Sequence, residues 1–245
     1  MYSMKRIGQF LAGLACIGWH SMSGQEQSTR DTRVYAIGAL SEVRKGELEA
    51  TTAISKKDDI AFLFGAGPND SLRGEVTIID GEIYLAQVND AKEPSVRLVD
   101  AVRAPYFVLT EVEHWTSSGL PEHVQTLKGL EGYLQMAYHM NREPFAFMLH
   151  GKIAYLKYHI AGFPADQSAA GQDPTSYTYT YELEDTEVKI IGFYSPSHKG
   201  IFTNGDSNVR LHFISADKKY SGHIDELKTG QGEMKLLLPF KPKDK

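Results

Sequence analysis

An α+β fold of two β-rich lobes, with mixed or antiparallel sheets and a few short helices, follows from three features of the 245-residue chain. Short apolar runs bounded by glycine turns recur from Ile60 to Leu238, a helical period runs between Pro121 and Met140, and the succession of glycine turn, strand and short helix occurs in both halves. The lobes are placed at residues 32–143 and 144–240, the second carrying the candidate metal site. A 42% hydrophobic composition suffices for a sizeable core. With 26 Lys and Arg against 31 Asp and Glu the chain is mildly acidic, and no basic stripe interleaved with aromatics is present, which argues against nucleic acid as a partner.

The N-terminus reads as an export signal. Lys5 and Arg6 precede the apolar run Ile7 to Trp19, and Ser21-Met22-Ser23 supplies small residues for cleavage, so residues 1–23 are assigned as a signal peptide. The run is shorter than the ~20 residues a membrane span needs, so no span is expected. Gly13 stands where a lipoprotein signal usually has Leu relative to Cys16, which ranks lipid anchoring below simple cleavage and places the protein in the periplasm or outside the cell. Cys16 is the one cysteine, so a metal in the mature chain would rest on His and carboxylates.

In chain order, Val34 to Ile37 opens the fold as a short strand or helix entry, Ala39 to Gly46 is helical, and Glu47 to Ile54 can form a second short helix. Ile60 to Phe64 is a buried strand, and Gly65 to Asp70 a loop rather than a phosphate cradle, because no Lys-Ser/Thr pair follows it. Asp80-Gly81 joins Glu75–Ile79 to Glu82–Ala86 as a hairpin. Pro105 to Thr110 is a strand and Pro121 to Met140 contains a helix with His123 and His139 near its ends, both read as surface or capping residues. Phe145 to His150 and Ile153 to Ile160 are strands around a Gly151-Lys152 turn, Gly162 to Pro174 is a polar loop, and Tyr177 to Tyr181 an exposed edge strand. Val188 to Ser195, Asn208 to Ser215, Tyr220 to Ile224 and Glu233 to Leu238 complete the strands.

Chemistry concentrates at Asn208 to Ile224. Period-2 alternation puts Arg210 and His212 on one strand face, with Val209, Leu211, Phe213 and Ile214 assigned to the core, and the polar turn Ala216 to Lys219 brings His223 back beside His212. Two imidazoles on neighbouring strands begin a metal site, which wants three or four protein ligands; the other reading is a pair of hydrogen-bonded sheet histidines.

Several segments in this order resemble the α-acetolactate decarboxylase family. They are Arg73-Gly74-Glu75-Val76 through Asp80-Gly81-Glu82-Ile83-Tyr84, His150-Gly151 to Lys157, Gly192-Phe193-Tyr194-Ser195-Pro196, and Leu211-His212-Phe213 with Ser221-Gly222-His223. The resemblance implies a two-domain αβ fold, usually a homodimer, with zinc on three histidines. It also implies conversion of 2-acetolactate, or a related 2-hydroxy-3-oxo acid, to acetoin and carbon dioxide. Metal chelated by the substrate's carbonyl and hydroxyl would stabilise the enediolate, and Glu75 matches a family active-site glutamate.

Two positions depart from the family pattern. Arg210 stands where the first zinc histidine is, and a guanidinium cannot ligate metal; His159 stands where the family has its active-site arginine. Three readings follow. His159 can join His212 and His223 as the third zinc ligand while Arg210 takes over the arginine's role. Alternatively, zinc and catalysis are lost, leaving an exported module that binds a small carboxylate or a protein. In the third, Glu75, His212 and His223 hold metal weakly. Glu75, His159, Arg210, His212 and His223 are the candidate pocket under all three, with Glu82 and His198 read as turn residues.

Overall fold

Positive φ at Asp80 and Gly81, 53° and 73°, turns the chain between β4 (Glu75–Ile79) and β5 (Glu82–Val88), forming the hairpin that the Asp-Gly pair predicts. This computed structural model describes residues 31–117, 119–138, 143–164 and 171–240. The signal peptide assigned to residues 1–23, Cys16, His139 and part of the Gly162 to Pro174 loop lie outside the described residues. Around the hairpin lies a six-stranded sheet in the order β1 (Tyr35–Ile37), β8 (Phe107–Glu111), β3 (Leu63–Pro68), β4, β5 and β6 (Pro94–Val99), antiparallel throughout.

The second six-stranded sheet runs β11 (Thr178–Glu184), β10 (Phe145–Ala161), β12 (Glu187–Tyr194), β13 (Val209–Ser215), β14 (Ser221–Pro239) and β9 (Trp115–Ser117). Because β10 also pairs with β14, strands β10, β12, β13 and β14 close on one another around Phe147, Leu149, Ile153, Tyr158, Leu211 and Phe213. Helix α2 (Leu127–Ala137) lays Leu130 and Leu134 on the same core, and its N-cap Thr126 hydroxyl accepts the Gly129 N–H at 3.0 Å. The two sheets meet through Phe64, Ala66 and Val108 of the first and Ala146, Ile191, Phe193 and Ile214 of the second. The result is the expected α+β class, rich in strand and poor in helix. No described helix is long and apolar enough to cross a membrane.

Five sequence-based expectations are corrected. Thr52–Ser55 is strand β2, paired with β7 (Ala101–Ala104), and not part of a second helix: β-branched Thr52 and Ile54 suit the pairing, and Ile54 enters the apolar cluster on the first sheet's other face. Gly65 to Pro68 is strand, not loop. A Cβ at Gly65 or Gly67 would fall 2.5 or 2.4 Å from the Phe107 ring, so these glycines let the ring lie flat on β3.

Gly151-Lys152 is not a hairpin turn, because β10 continues through it, held by β12 on one side and β14 on the other, with a register shift between Gly151 and Ile153 absorbing the bend. The segment Glu233 to Leu238 is the end of one long strand that begins at Ser221. Ile214 shares the His212 face and packs between the sheets, whereas Val209, Leu211 and Phe213 point into the closed core. The Tyr177 to Tyr181 region does lie at a sheet edge, as β11. His198 donates to or accepts from Ser195 Oγ at 2.8 Å and stacks on Phe202, and Glu82 bonds Tyr84 and Lys218; both stay in turn-region roles.

Candidate functional site

Strand register assembles the histidines. His212 of β13 is the direct partner of His223 of β14, which in turn is the partner of His159 of β10, so three imidazoles sit in a row across three strands. Ring centroids are 5.3 Å apart for His212 and His223 and 4.8 Å for His223 and His159. Gly222 permits this closeness: a Cβ there would meet the His159 carbonyl at 2.7 Å. Glu75 arrives from the facing sheet, at the start of β4, and Arg210 is two residues before His212 on the same face.

A cavity of about 160 Å³ lies between the sheets, lined by Glu75, His159, Arg210 and His223 together with Tyr106 and Arg44 of α1 (Leu40–Arg44). His212 is fully buried and reaches the cavity through its contact with Arg210. Glu75 is 3% exposed and Arg210 4%. The guanidinium donates through Nη1 to Tyr106 Oη at 3.0 Å and through Nη2 to His212 Nε2 at 3.2 Å, and lies over the Tyr106 ring at 5.0 Å. Its Nη2 is 3.8 Å from Glu75 Oε2, close enough for attraction but beyond hydrogen-bond length, and both Glu75 Oε2 and Arg210 Nε lack hydrogen-bond partners.

Donor accounting fixes the state of His212. Ser221 Oγ donates its one proton to the Phe213 carbonyl at 2.6 Å, so at the 3.0 Å contact with Thr77 Oγ1 it accepts. Thr77 therefore donates to Ser221, and at its 3.3 Å contact with His212 Nδ1 it accepts the ring N–H. His212 Nε2 is left with a lone pair facing Arg210, which has only protons to offer. Burial first, then the charges of Arg210 and His159, hold His212 well below the ordinary histidine pKa, consistent with this neutral tautomer. His223 is depressed likewise, by burial and then by Arg210, and its Nδ1 has no partner.

The chain Phe213, Ser221, Thr77, His212, Arg210 crosses from one sheet to the other, so breaking it has a defined cost. Thr77→Val, close in shape but without the hydroxyl, removes the donor to Ser221 and one acceptor of the His212 N–H, which keeps its hydrogen bond to the Val76 backbone, and is expected to lower stability by about 1 kcal/mol. Thr77→Ser should restore most of it in denaturant titrations.

Glu75 is pushed up to about 7, chiefly by burial, with Arg210, His159 and a backbone hydrogen bond from Ala161 pulling the other way. His159 donates Nδ1–H to Asp225 at 2.8 and 3.0 Å to the two oxygens. Zinc on His159, His212 and His223 does not fit these side chains as they stand. The lone pair that His212 would offer is engaged by Arg210, and the fixed guanidinium opposes a dication in the same cavity. Among the described residues no group of three His, Cys, Asp or Glu is arranged to hold a metal ion.

All five candidate residues thus meet at one site, but four further contributors escaped sequence reading. Thr77 and Asp225 carried a signal, each two residues from a candidate on the same strand face. Tyr106 and Arg44 carried none, since only the tertiary packing of α1 against Leu72, Tyr106 and Ala161 of β10 delivers them.

Two packed antiparallel sheets enclosing a small cavity with one buried cation define a β-rich α+β protein built around a small-molecule-sized site. The chain belongs to the alpha-acetolactate decarboxylase family, whose profile matches residues 34–238. It is 26% identical over 176 residues to the alpha-acetolactate decarboxylase of Methanosarcina mazei, a match spanning 71% of this chain but 58% of that protein, less than two thirds of its length. To the enzyme of that name from Lactococcus lactis subsp. cremoris it is 24% identical over 211 residues, 84% of either chain. The crystal structure of acetolactate decarboxylase from Bacillus subtilis subspecies spizizenii shares the fold, with a TM-score of 0.66 at 16% identity over 86% of this chain and 87% of that one.

Proposed function

We propose that the cavity binds a small 2-hydroxy-3-oxo acid of the acetolactate class and decarboxylates it to the hydroxyketone and carbon dioxide, with Arg210 in the electrostatic role that a metal plays elsewhere. The observation that carries this reading is a buried guanidinium with unfilled donors, 3.8 Å from a glutamate oxygen that has no hydrogen-bond partner. A small acid entering between them supplies acceptors to Arg210 and meets the carboxyl group of Glu75.

Arg210 offers its free N–H groups to the substrate's carbonyl and hydroxyl oxygens. As the bond to the carboxylate breaks, carbon dioxide leaves and the electron pair passes into the enediolate, whose developing charge falls on oxygen beside the guanidinium. Glu75, holding its proton in the buried site, delivers it to the carbon that lost carbon dioxide, and takes another from solvent before the next turnover. His212, kept neutral and turned by Thr77, fixes the orientation of Arg210. Each turnover consumes one proton and releases one carbon dioxide and one hydroxyketone.

The test is acetoin formation from 2-acetolactate by purified, chelator-dialysed protein. Turnover above the spontaneous rate that survives chelation and disappears in Arg210→Gln is the expected result. Turnover that requires added zinc overturns the role given to Arg210. Binding of the acid without turnover points instead to a non-catalytic carboxylate-binding module on the same fold.

A further inference from the structure

The cavity holds more positive charge than a monoacid can use. Its lining carries two guanidinium groups, Arg210 deep inside and Arg44 from the last turn of α1, against a single carboxyl group, Glu75. Asp225, the acid nearest the row of histidines, lies outside this lining and is engaged with His159. Arg44 is exposed, and its hydrogen-bond contact is a neutral one, to Asn204 Oδ1 at 3.5 Å, the outer limit for such a bond. Its charge nevertheless reaches inward far enough to act on the buried Tyr106 hydroxyl.

Helix α1 is held in this place from two sides. Leu40 and Val43 pack with Leu72, Tyr106 and Ala161, and the Leu40 and Ser41 N–H groups donate to the Ile201 and Gly200 carbonyls at 2.9 and 2.8 Å. Arg44 therefore sits at a fixed rim and not on a wandering loop. With Thr178 and Asn204, also exposed, it forms the mouth of the cavity.

We propose that Arg44 is a specificity-determining residue that selects acids bearing a second anionic group: the hydroxy-oxo end enters toward Arg210 and Glu75, and a second carboxylate stays at the mouth against Arg44. This rests on the reading of the cavity as a small-acid site. A guanidinium fork matches a carboxylate in two hydrogen bonds, and at a partly solvated rim the gain is moderate and sensitive to salt.

The experiment is isothermal titration of the full chain with two stable acids that differ in one carboxylate, 2-hydroxy-2-methylbutanoate and 2-hydroxy-2-methylbutanedioate. The diacid should bind about fivefold more tightly at low salt, and Arg44→Gln, an exposed change that leaves the core untouched, should bring the two affinities together by weakening the diacid more than the monoacid. Equal affinities in the parent, or a diacid preference that persists in Arg44→Gln, overturn the role of Arg44 and leave the small-acid reading standing. Failure of both acids to bind overturns the role of Arg44 and the small-acid reading together.

Discussion

The Arg210→His variant is expected to take up about one zinc ion per chain by elemental analysis after purification without chelator, where the parent takes up none. The change does three things at once. It removes the one fixed cation of the inner cavity, which stands 3.2 Å from the His212 lone pair. It frees that lone pair, already directed by the Thr77 and Ser221 hydrogen bonds, so no tautomer change is needed. It also places a third imidazole on the strand face that carries His212, beside the His212 and His223 pair that register has set 5.3 Å apart. The three imidazoles would then be the metal ligands, with Glu75 or solvent available to complete the set. Zinc in the parent would show that Arg210 swings aside and that the electrostatics above are wrong. A folded variant with no zinc, its strand content unchanged by circular dichroism, would show that the histidine row cannot converge on one ion. Acetoin formation gives the complementary readout: Arg210→Met, which removes the charge and keeps the bulk of the side chain, is expected to reduce turnover by about 10²–10³.

Much of this site is legible from strand alternation alone. Period-2 spacing puts Arg210 and His212 together and the polar turn at Ala216 to Lys219 returns His223 to them, whereas Glu75 and His159 enter through the family resemblance, and the pairing of β14 with β10 that seats His159 is a long-range contact alternation does not show. What alternation cannot give is the state of the groups. Whether Arg210 faces metal ligands or hydrogen-bonds to them depends on a proton inventory that starts at the Phe213 carbonyl and passes through Thr77 on the other sheet.

The mistaken elements share a cause. Gly65, Gly67 and Gly151 signal turns when read locally, but here they serve close packing under Phe107 and a bend in a strand paired on both sides. Such uses are set by partners far along the chain. The helix expected over Glu47 to Ile54 fails likewise, because pairing with β7 decides the conformation of Thr52 to Ser55.

Replacing Glu75 by glutamine should cost at least about a hundredfold in turnover, since the amide has no proton to give to the carbon. The same substitution tests the buried carboxyl independently of any substrate. In the folded chain Glu75 is raised from the ordinary 4.5 to about 7, so the native state holds a proton that the unfolded chain releases. Its contribution to stability is therefore most favourable below the unfolded value and is lost as pH rises through about 7, on the order of 3 kcal/mol in all. His212 and His223 work in the opposite sense: held neutral when folded, they withdraw stability as pH falls below the ordinary histidine range. The parent's own pH profile mixes these terms, so the difference between parent and Glu75→Gln is the quantity to follow. That difference should move in favour of the variant between pH 4.5 and 8, because glutamine has nothing to ionise. A flat difference in denaturant titrations would mean that Glu75 is already ionised at pH 5, paired with Arg210 across the cavity. In that case the proton for the enediolate must come from another group.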